Sequence, residues 1–429
     1  MLNKIIEILR DKKILILGFG REGKSSFQFI NKHLKDTCIG IADADSNAFE
    51  SISETDRQSV VLYSGEKYLD SILLYDFIIK SPGISLLDIN TNNKTISSQT
   101  DLFMMAFSSQ TIGITGTKGK STTTSLIFHL LKSNELDCVL AGNIGIPCFD
   151  IISNINDKTW VVYELSANQL QSIQHSPHIA VLLNIFEEHL DHFGTFEKYK
   201  QAKYNICKFQ NEGDIFVCHR DFLPELRIPH EMLLQFPLGL LSGNEQPMPI
   251  KGSHNRLNME AALLIAHAIG IDMKQAILNL QTFKGLPHRL EIIGTISGVT
   301  FINDSIATIP EATIAALDTI DNVDFLLLGG FDRGIDYTVL IEYLLENPVA
   351  NILLTGKAGE RILKMLNRFN IDSQLLVYHS MDEAFEIIKT KSKNNSVCLL
   401  SPAAASYDNY KNFEHRGDTF RQLALTFSK

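Results

Sequence analysis

An α/β chain of three doubly wound domains is predicted, and three observations predict it. Short β-branched runs alternate with stretches of helical period, the pattern of parallel sheets covered by helices. Turns of glycine and small polar residues follow several of those runs, where such sheets place their binding loops. The length, 429 residues, corresponds to about three domains at roughly 150 residues each.

The first run, Ile14 to Leu17, leads through a glycine turn into a helical stretch from Lys24 to Leu34 and a strand from Cys38 to Ala42. A third strand, Phe77 to Ile79, ends at Ser81-Pro82-Gly83, and polar residues from Asp88 to Gln99 read as a linker. A second domain opens with Thr111 to Ile114. It carries strands at Trp160 to Tyr163, Ala180 to Leu183 and Ile215 to Val217, then a loop from Gly243 to Gly252 and a helix from Asn258 to Ile269. The third begins near Gly298 to Ile302, with strands at Phe325 to Leu328, Asn351 to Leu354, Gln374 to Tyr378 and Val397 to Leu400. The expected domains are 1–95, 96–295 and 296–429, the first and last Rossmann-like and the central one a P-loop ATPase.

Lys and Arg number 39 against 49 Asp and Glu, a net charge of −10 that argues against sequence-nonspecific nucleic-acid binding. No apolar run approaches the roughly 18 residues of a membrane span, so neither membrane insertion nor a signal peptide is expected. Six scattered cysteines without Cys-x-x-Cys spacing read as reduced thiols in a cytoplasmic protein.

Gly18-Phe-Gly20-Arg21-Glu-Gly23 follows the first strand, and Asp43 ends the second. The glycines would let backbone N–H groups approach a diphosphate while the acid takes a ribose or base. NAD, NADP and a nucleotide-diphosphate sugar all suit that platform, as does a turn that only packs strand on helix. Gly116-Thr117-Lys118-Gly119-Lys120-Ser121-Thr122 is a variant P-loop between a strand and a helix. Its amides form an anion nest, Lys120 can reach the β/γ-phosphates, and Ser121 or Thr122 can bind Mg²⁺. Glu164, where its strand runs out, suits a magnesium ligand beside that loop; His189 would serve as one ligand of a second ion or lie in solvent. Lys203, on a partly apolar helix face, reads by itself as a snorkelling lysine. In the last third, turns at Asn303-Asp304-Ser305, Gly329 to Gly334 and Ser401 to Ser406 define a cleft at strand ends, and Arg289 sits at a domain junction.

Taken together and in this order, these strings resemble the Mur ligase family, ATP-dependent amide-forming enzymes of peptidoglycan precursor synthesis. The resemblance runs from Gly18 to about Phe420. Its carriers also include Ser81-Pro-Gly-Ile84, Gly142-Asn143-Ile-Gly-Ile-Pro147, Ser253-His254-Asn255-Arg-Leu-Asn258, Gly285-Leu-Pro-His-Arg289, and Leu400 to Ser406 with Lys411 to Gly417. It implies a UDP-binding first domain, a central ATPase and a third domain that brings the amino acid. The implied substrates are UDP-N-acetylmuramoyl-L-alanine and D-glutamate, with ATP, two Mg²⁺ ions and a carbamylated Lys203, in a monomer.

By the same resemblance Lys120, His189 and Lys203 are catalytic, and Ser121, Glu164, His189 and Lys203 bind metal. His254, Asn255, Asn258, Arg289 and Asp304 join the P-loop at ATP. Gly20, Arg21, Asp43, Ser81, Asn143, Ser166, Arg333, Ser406 and Phe413 contact the other substrates. The sequence departs at two places. The family commonly continues Asn-Asp-Ser with Lys-Ala-Thr-Asn, whereas here Ile306-Ala-Thr-Ile309 follows, and Arg333 stands where a lysine is usual. That arginine could replace part of the missing charge.

Overall fold

A computed structural model describes every residue except 36, 87–88, 93, 143–145, 223–232, 243–249, 251, 370 and 429. Among the described residues, seventeen strands form three sheets. The first contains β1 (Ile14–Leu17), β2 (Ile39–Asp43), β3 (Val60–Ser64), β4 (Phe77–Lys80) and β5 (Thr95–Ser97) in the order β3-β2-β1-β4-β5, all parallel. Leu17 pairs with both Ala42 and Lys80, so the Gly18 turn leaves the sheet where the strand order reverses.

The second sheet holds β6 (Thr111–Thr115), β7 (Cys138–Gly142), β8 (Trp160–Glu164), β9 (Ile179–Leu182), β10 (Ile215–His219) and β11 (Leu233–Phe236), ordered β11-β10-β9-β6-β8-β7 and again parallel. Ile114 pairs with Glu164 and Thr115 with Leu182, which places the loop after β6 between the ends of β8 and β9. Every residue of β1, β6 and β9 is buried, as a central parallel strand covered on both faces requires.

The third sheet comprises β12 (Glu291–Ile296), β13 (Val299–Asn303), β14 (Phe325–Gly329), β15 (Asn351–Thr355), β16 (Gln374–Val377) and β17 (Ser396–Leu400), ordered β12-β13-β17-β14-β15-β16. Only β12 runs antiparallel. Alternate residues face opposite cores: Leu326, Leu328, Ile352 and Leu354 on one side, Phe325, Leu327, Leu353 and Leu400 on the other.

The first compact unit, Met1–Met248 with Ser253–Phe283, contains the first two sheets; the second takes in Pro249–Gly252 and Lys284–Lys429. One apolar core joins the two sheets of the first unit, from Ile14 and Ile79 through Phe103 and Tyr163 to Leu182 and Phe216. A polar seam supplements it. The Gln99 amide donates to the Ser25 and Ser26 hydroxyls at 3.0 and 3.1 Å, and Ser25 donates to Asp150 at 2.6 Å. The fully buried Cys148 thiol lies against Gln99 Oε1 at 3.5 Å.

Several expected bounds move. Residue 95 opens β5, so the expected linker contributes a strand to the first sheet. Residue 295 falls inside β12, whose hairpin with β13 draws it into the second unit. Strands β3, β5, β7, β11 and β12, all at sheet edges, were not expected.

Candidate active site

The loop after β6 is folded by its own sequence. Gly119 adopts φ +85°, and a Cβ there would fall 2.4 Å from Asn258 Oδ1, so glycine is required on both counts. Gly119 caps helix Lys120–Ser133, whose first amides point at the loop. Asn184, just past β9, clamps the same loop: its backbone oxygen accepts from Thr117 N at 3.0 Å and its side chain accepts from Lys118 N at 2.8 Å. Lys120 Nζ donates to the Gly116 and Thr117 carbonyls, each at 2.9 Å.

Lys203, on helix Phe196–Lys208, is not the snorkelling residue that its helix face alone suggests. It is 1% exposed, and its amine donates to Gly116 O at 2.8 Å, the carbonyl that also receives Lys120. Burial, then the charge of Lys120, brings its pKa down to about 6. Tyr199 lies beneath, with its ring centroid 4.8 Å from Lys203 Nζ and its hydroxyl 3.1 Å from Thr117 Oγ1. The exposed His189 ring lies 6.1 Å from the Tyr199 ring, centroid to centroid, on a left-handed backbone at φ 58°. Glu164 is fully buried at the end of β8. Thus Lys120 and Lys203 meet at one carbonyl, with His189 near Tyr199.

No three His, Cys, Asp or Glu side chains converge as a metal cage among the described residues. The donors on hand are Glu164, His189, the Ser121 hydroxyl at the head of its helix, and Lys203. Glu164 and Ser121 suit a hard cation, whereas an unmodified lysine repels one. Asn255 and Asn258 are buried on helix Ser253–Ala268, which begins five residues before the expected start, and His254 is exposed there.

In the first sheet Ser81 donates to Gly18 O at 2.8 Å, and both Asp43 oxygens accept backbone amides, from Phe19 at 2.7 Å and Asp45 at 3.0 Å. Asp43 therefore ties the glycine turn to β2. Gly20 caps helix Arg21–His33, leaving Arg21 exposed at its head. Ser166 caps the short helix Ala167–Leu170 in a reciprocal pair with Gln169. Asn143 lies outside the described residues.

The second unit gathers Asp304, Ser406, Phe413 and Arg333 at its strand ends. Asp304 is 5% exposed and accepts from Ser401 Oγ at 2.8 Å and Leu290 N at 3.1 Å. Burial raises its pKa to about 7 against those bonds and the charge of Arg289. The Arg333 guanidinium donates to Thr308 O at 3.1 Å, two residues beyond Ile306. Ser406 is buried, and the Phe413 carbonyl accepts from Ser305 Oγ at 2.8 Å. Sequence reasoning missed Arg416, the residue that ties these turns together: its buried guanidinium donates to Ser305 Oγ and O and to the Ala404 and Ala405 carbonyls. Its place in the string Glu414-His-Arg416-Gly417 was the available signal. Glu22 and Lys80, both titratable and close to the first glycine turn, were also missed.

A P-loop with a buried lysine turned inward upon it, in a chain of three α/β sheets, has the build of a nucleotide-dependent α/β enzyme, and comparison identifies which. Residues 114–226 match the Mur ligase middle domain, and residues 288–404 match the Mur ligase, glutamate ligase domain. The UDP-N-acetylmuramoylalanine--D-glutamate ligases of Clostridium tetani and Clostridium botulinum (strain Kyoto / Type A2) are 31% and 30% identical to this chain, each over 98% of both chains. The MurF ligase of Thermotoga maritima, solved in complex with ADP, shares the fold with a TM-score of 0.55 at 19% identity, over 99% of this chain and 97% of that one. The chain belongs to the Mur ligase family. Membership sets aside the NAD and NADP readings of the first glycine turn.

Proposed function

We propose that this ligase joins D-glutamate to UDP-N-acetylmuramoyl-L-alanine at the expense of ATP. The observation that carries the reading is the buried Lys203 amine on the P-loop carbonyl, in a chain matched end to end by relatives of that name. The terminal carboxylate of the UDP-linked substrate attacks the γ-phosphorus, giving an acyl phosphate and ADP. The amine of the amino acid then adds to the acyl carbon, and the tetrahedral intermediate expels phosphate. Lys120 leaves the Gly116 and Thr117 carbonyls for the phosphoryl oxygens, where its charge opposes the charge that develops.

Magnesium, when bound, would supply Lewis-acid charge at the phosphates. Ser121 and Glu164 would hold one ion, and His189 with carbamylated Lys203 the other. Burial favours the uncharged Lys203 amine, the form that adds to CO₂. The Gly18 turn, Arg21, Asp43, Ser81 and Asn143 are assigned to the UDP substrate, with Ser166 beside them. His254, Asn255, Asn258, Arg289 and Asp304 are assigned to the nucleotide. Ser406, Phe413 and Arg333 are assigned to D-glutamate, the arginine supplying charge where Ile306 supplies none.

The test is phosphate release with UDP-N-acetylmuramoyl-L-alanine across a panel of amino acids. D-glutamate should be preferred, and preference for a neutral amino acid would overturn the assignment. Arg333→Ala should raise the KM for D-glutamate about tenfold, roughly 1.4 kcal/mol, with the KM for ATP unchanged. Ile306→Lys in that background should recover part of the loss.

A further inference from the structure

Glu22 has no part in the reaction as proposed, yet it lies where two of its sites come together. It is the second residue of helix Arg21–His33, directly after the Gly18 turn of the first sheet. Its Oε1 accepts from Gln169 Nε2 at 2.7 Å, across 147 residues of sequence. Gln169 is 4% exposed, and its own Oε1 accepts from Ser166 N at 2.9 Å while its backbone N–H donates to Ser166 Oγ at 3.2 Å. Ser166 stands two residues beyond Glu164. One hydrogen-bonded path therefore runs from the glycine turn through Glu22 and Gln169 to the loop that leaves β8.

Beside that bond, the charges of Arg21 and Lys80 act on the Glu22 carboxyl. Its second oxygen is buried without a hydrogen-bond partner among the described residues. The Glu22 backbone oxygen is fixed separately, accepting from Gln99 Nε2 at 3.2 Å. Loss of the side chain thus removes the link to Gln169 while the helix head keeps its anchor on Gln99.

We propose that Glu22 is a positioning residue: through Gln169 it sets the Glu164 loop against the Gly18 turn, so that occupancy of the UDP-sugar site and of the magnesium–nucleotide site favour one another. Such coupling is reciprocal, each ligand raising the affinity of the other by the same factor. The inference rests on the proposed assignment of the Gly18 turn to UDP and of Glu164 to magnesium.

Calorimetric titration of the full chain tests it. The affinity for UDP-N-acetylmuramoyl-L-alanine is measured with and without Mg²⁺ and a non-hydrolysable ATP analogue. Wild type should bind the sugar nucleotide at least about fivefold more tightly in their presence. Glu22→Ala should bring that factor close to one while either ligand alone binds within about threefold of wild type. Glu22→Gln, which keeps an acceptor for Gln169, should retain the factor. If Glu22→Ala does not fold, Gln169→Leu severs the same bond from the other side and should behave alike. Coupling that is absent from wild type, or that survives the severed bond, overturns the role of Glu22. Wild type that binds neither ligand would instead overturn the site assignments.

Discussion

Lys203 shows how far a side chain's meaning depends on what covers it. Its sequence neighbours describe a helix face with an apolar edge, and long lysines on such faces usually reach solvent. Here the helix packs beneath the P-loop, and the amine ends on a backbone carbonyl that already holds Lys120. Two lysine amines at one oxygen, one of them buried, leave Lys203 short of its proton. Lys203→Ala should lower turnover by roughly 10²–10³-fold, the scale of losing one electrostatic group at a phosphoryl site. Short carboxylic acids added to the variant should restore part of the rate by occupying the place of a carbamate. A variant with wild-type rate in bicarbonate-depleted buffer would exclude the modified lysine. The P-loop and its lysine were legible in the sequence because their chemistry is local. The inward course of Lys203 became legible only through the family resemblance, and Arg416 stayed hidden because its four acceptor groups come from two distant turns.

At the level of elements, the central strands were read correctly because burial on both faces leaves an unbroken apolar run. Most edge strands escaped, although β16 did not: β3 buries none of its residues fully, and β12 carries a bulge between Ile292 and Gly294. Helix Ser253–Ala268 was expected late because its first turn is polar. The strand ends of the second unit offer a test of how turns are joined. Asp304 links the end of β13 to Ser401 after β17, and its folded-state pKa of about 7 lies above the ordinary value near 3.9. A group raised in this way holds its proton more tightly when folded. Its stabilising contribution is therefore complete below about pH 4 and is lost as pH rises through about 7. Asp304→Asn removes that titration. The melting temperature of the variant, relative to wild type, should climb between pH 5 and pH 8; a constant difference would show that Asp304 does not titrate there.

For the whole molecule, the first two sheets share one apolar core, whereas the third sheet builds its own. Three domains were expected from length and pattern, and three sheets are found. What the pattern could not reveal is that two of the sheets fuse, because a common core is made by contacts that lie far apart in sequence. Helix Gln99–Phe107 is the element between them, buried along nearly its whole length, and it explains why no polar linker survives there.

The seam beneath that helix brings with it a stopwatch. Alkylating reagents attack thiolates, and burial pushes the Cys148 thiol well above its usual range and hides it from solvent. Cys38, by contrast, is exposed. Iodoacetamide followed by mass spectrometry should label Cys38 at once and Cys148 only as often as the two sheets part. The ratio of the Cys148 labelling rate to that of a free thiol then reads the free energy of parting under native conditions. Equal rates at both cysteines would mean that the seam is open most of the time. A slow Cys148 makes this thiol a natural gauge of how tightly the first and second sheets are held together.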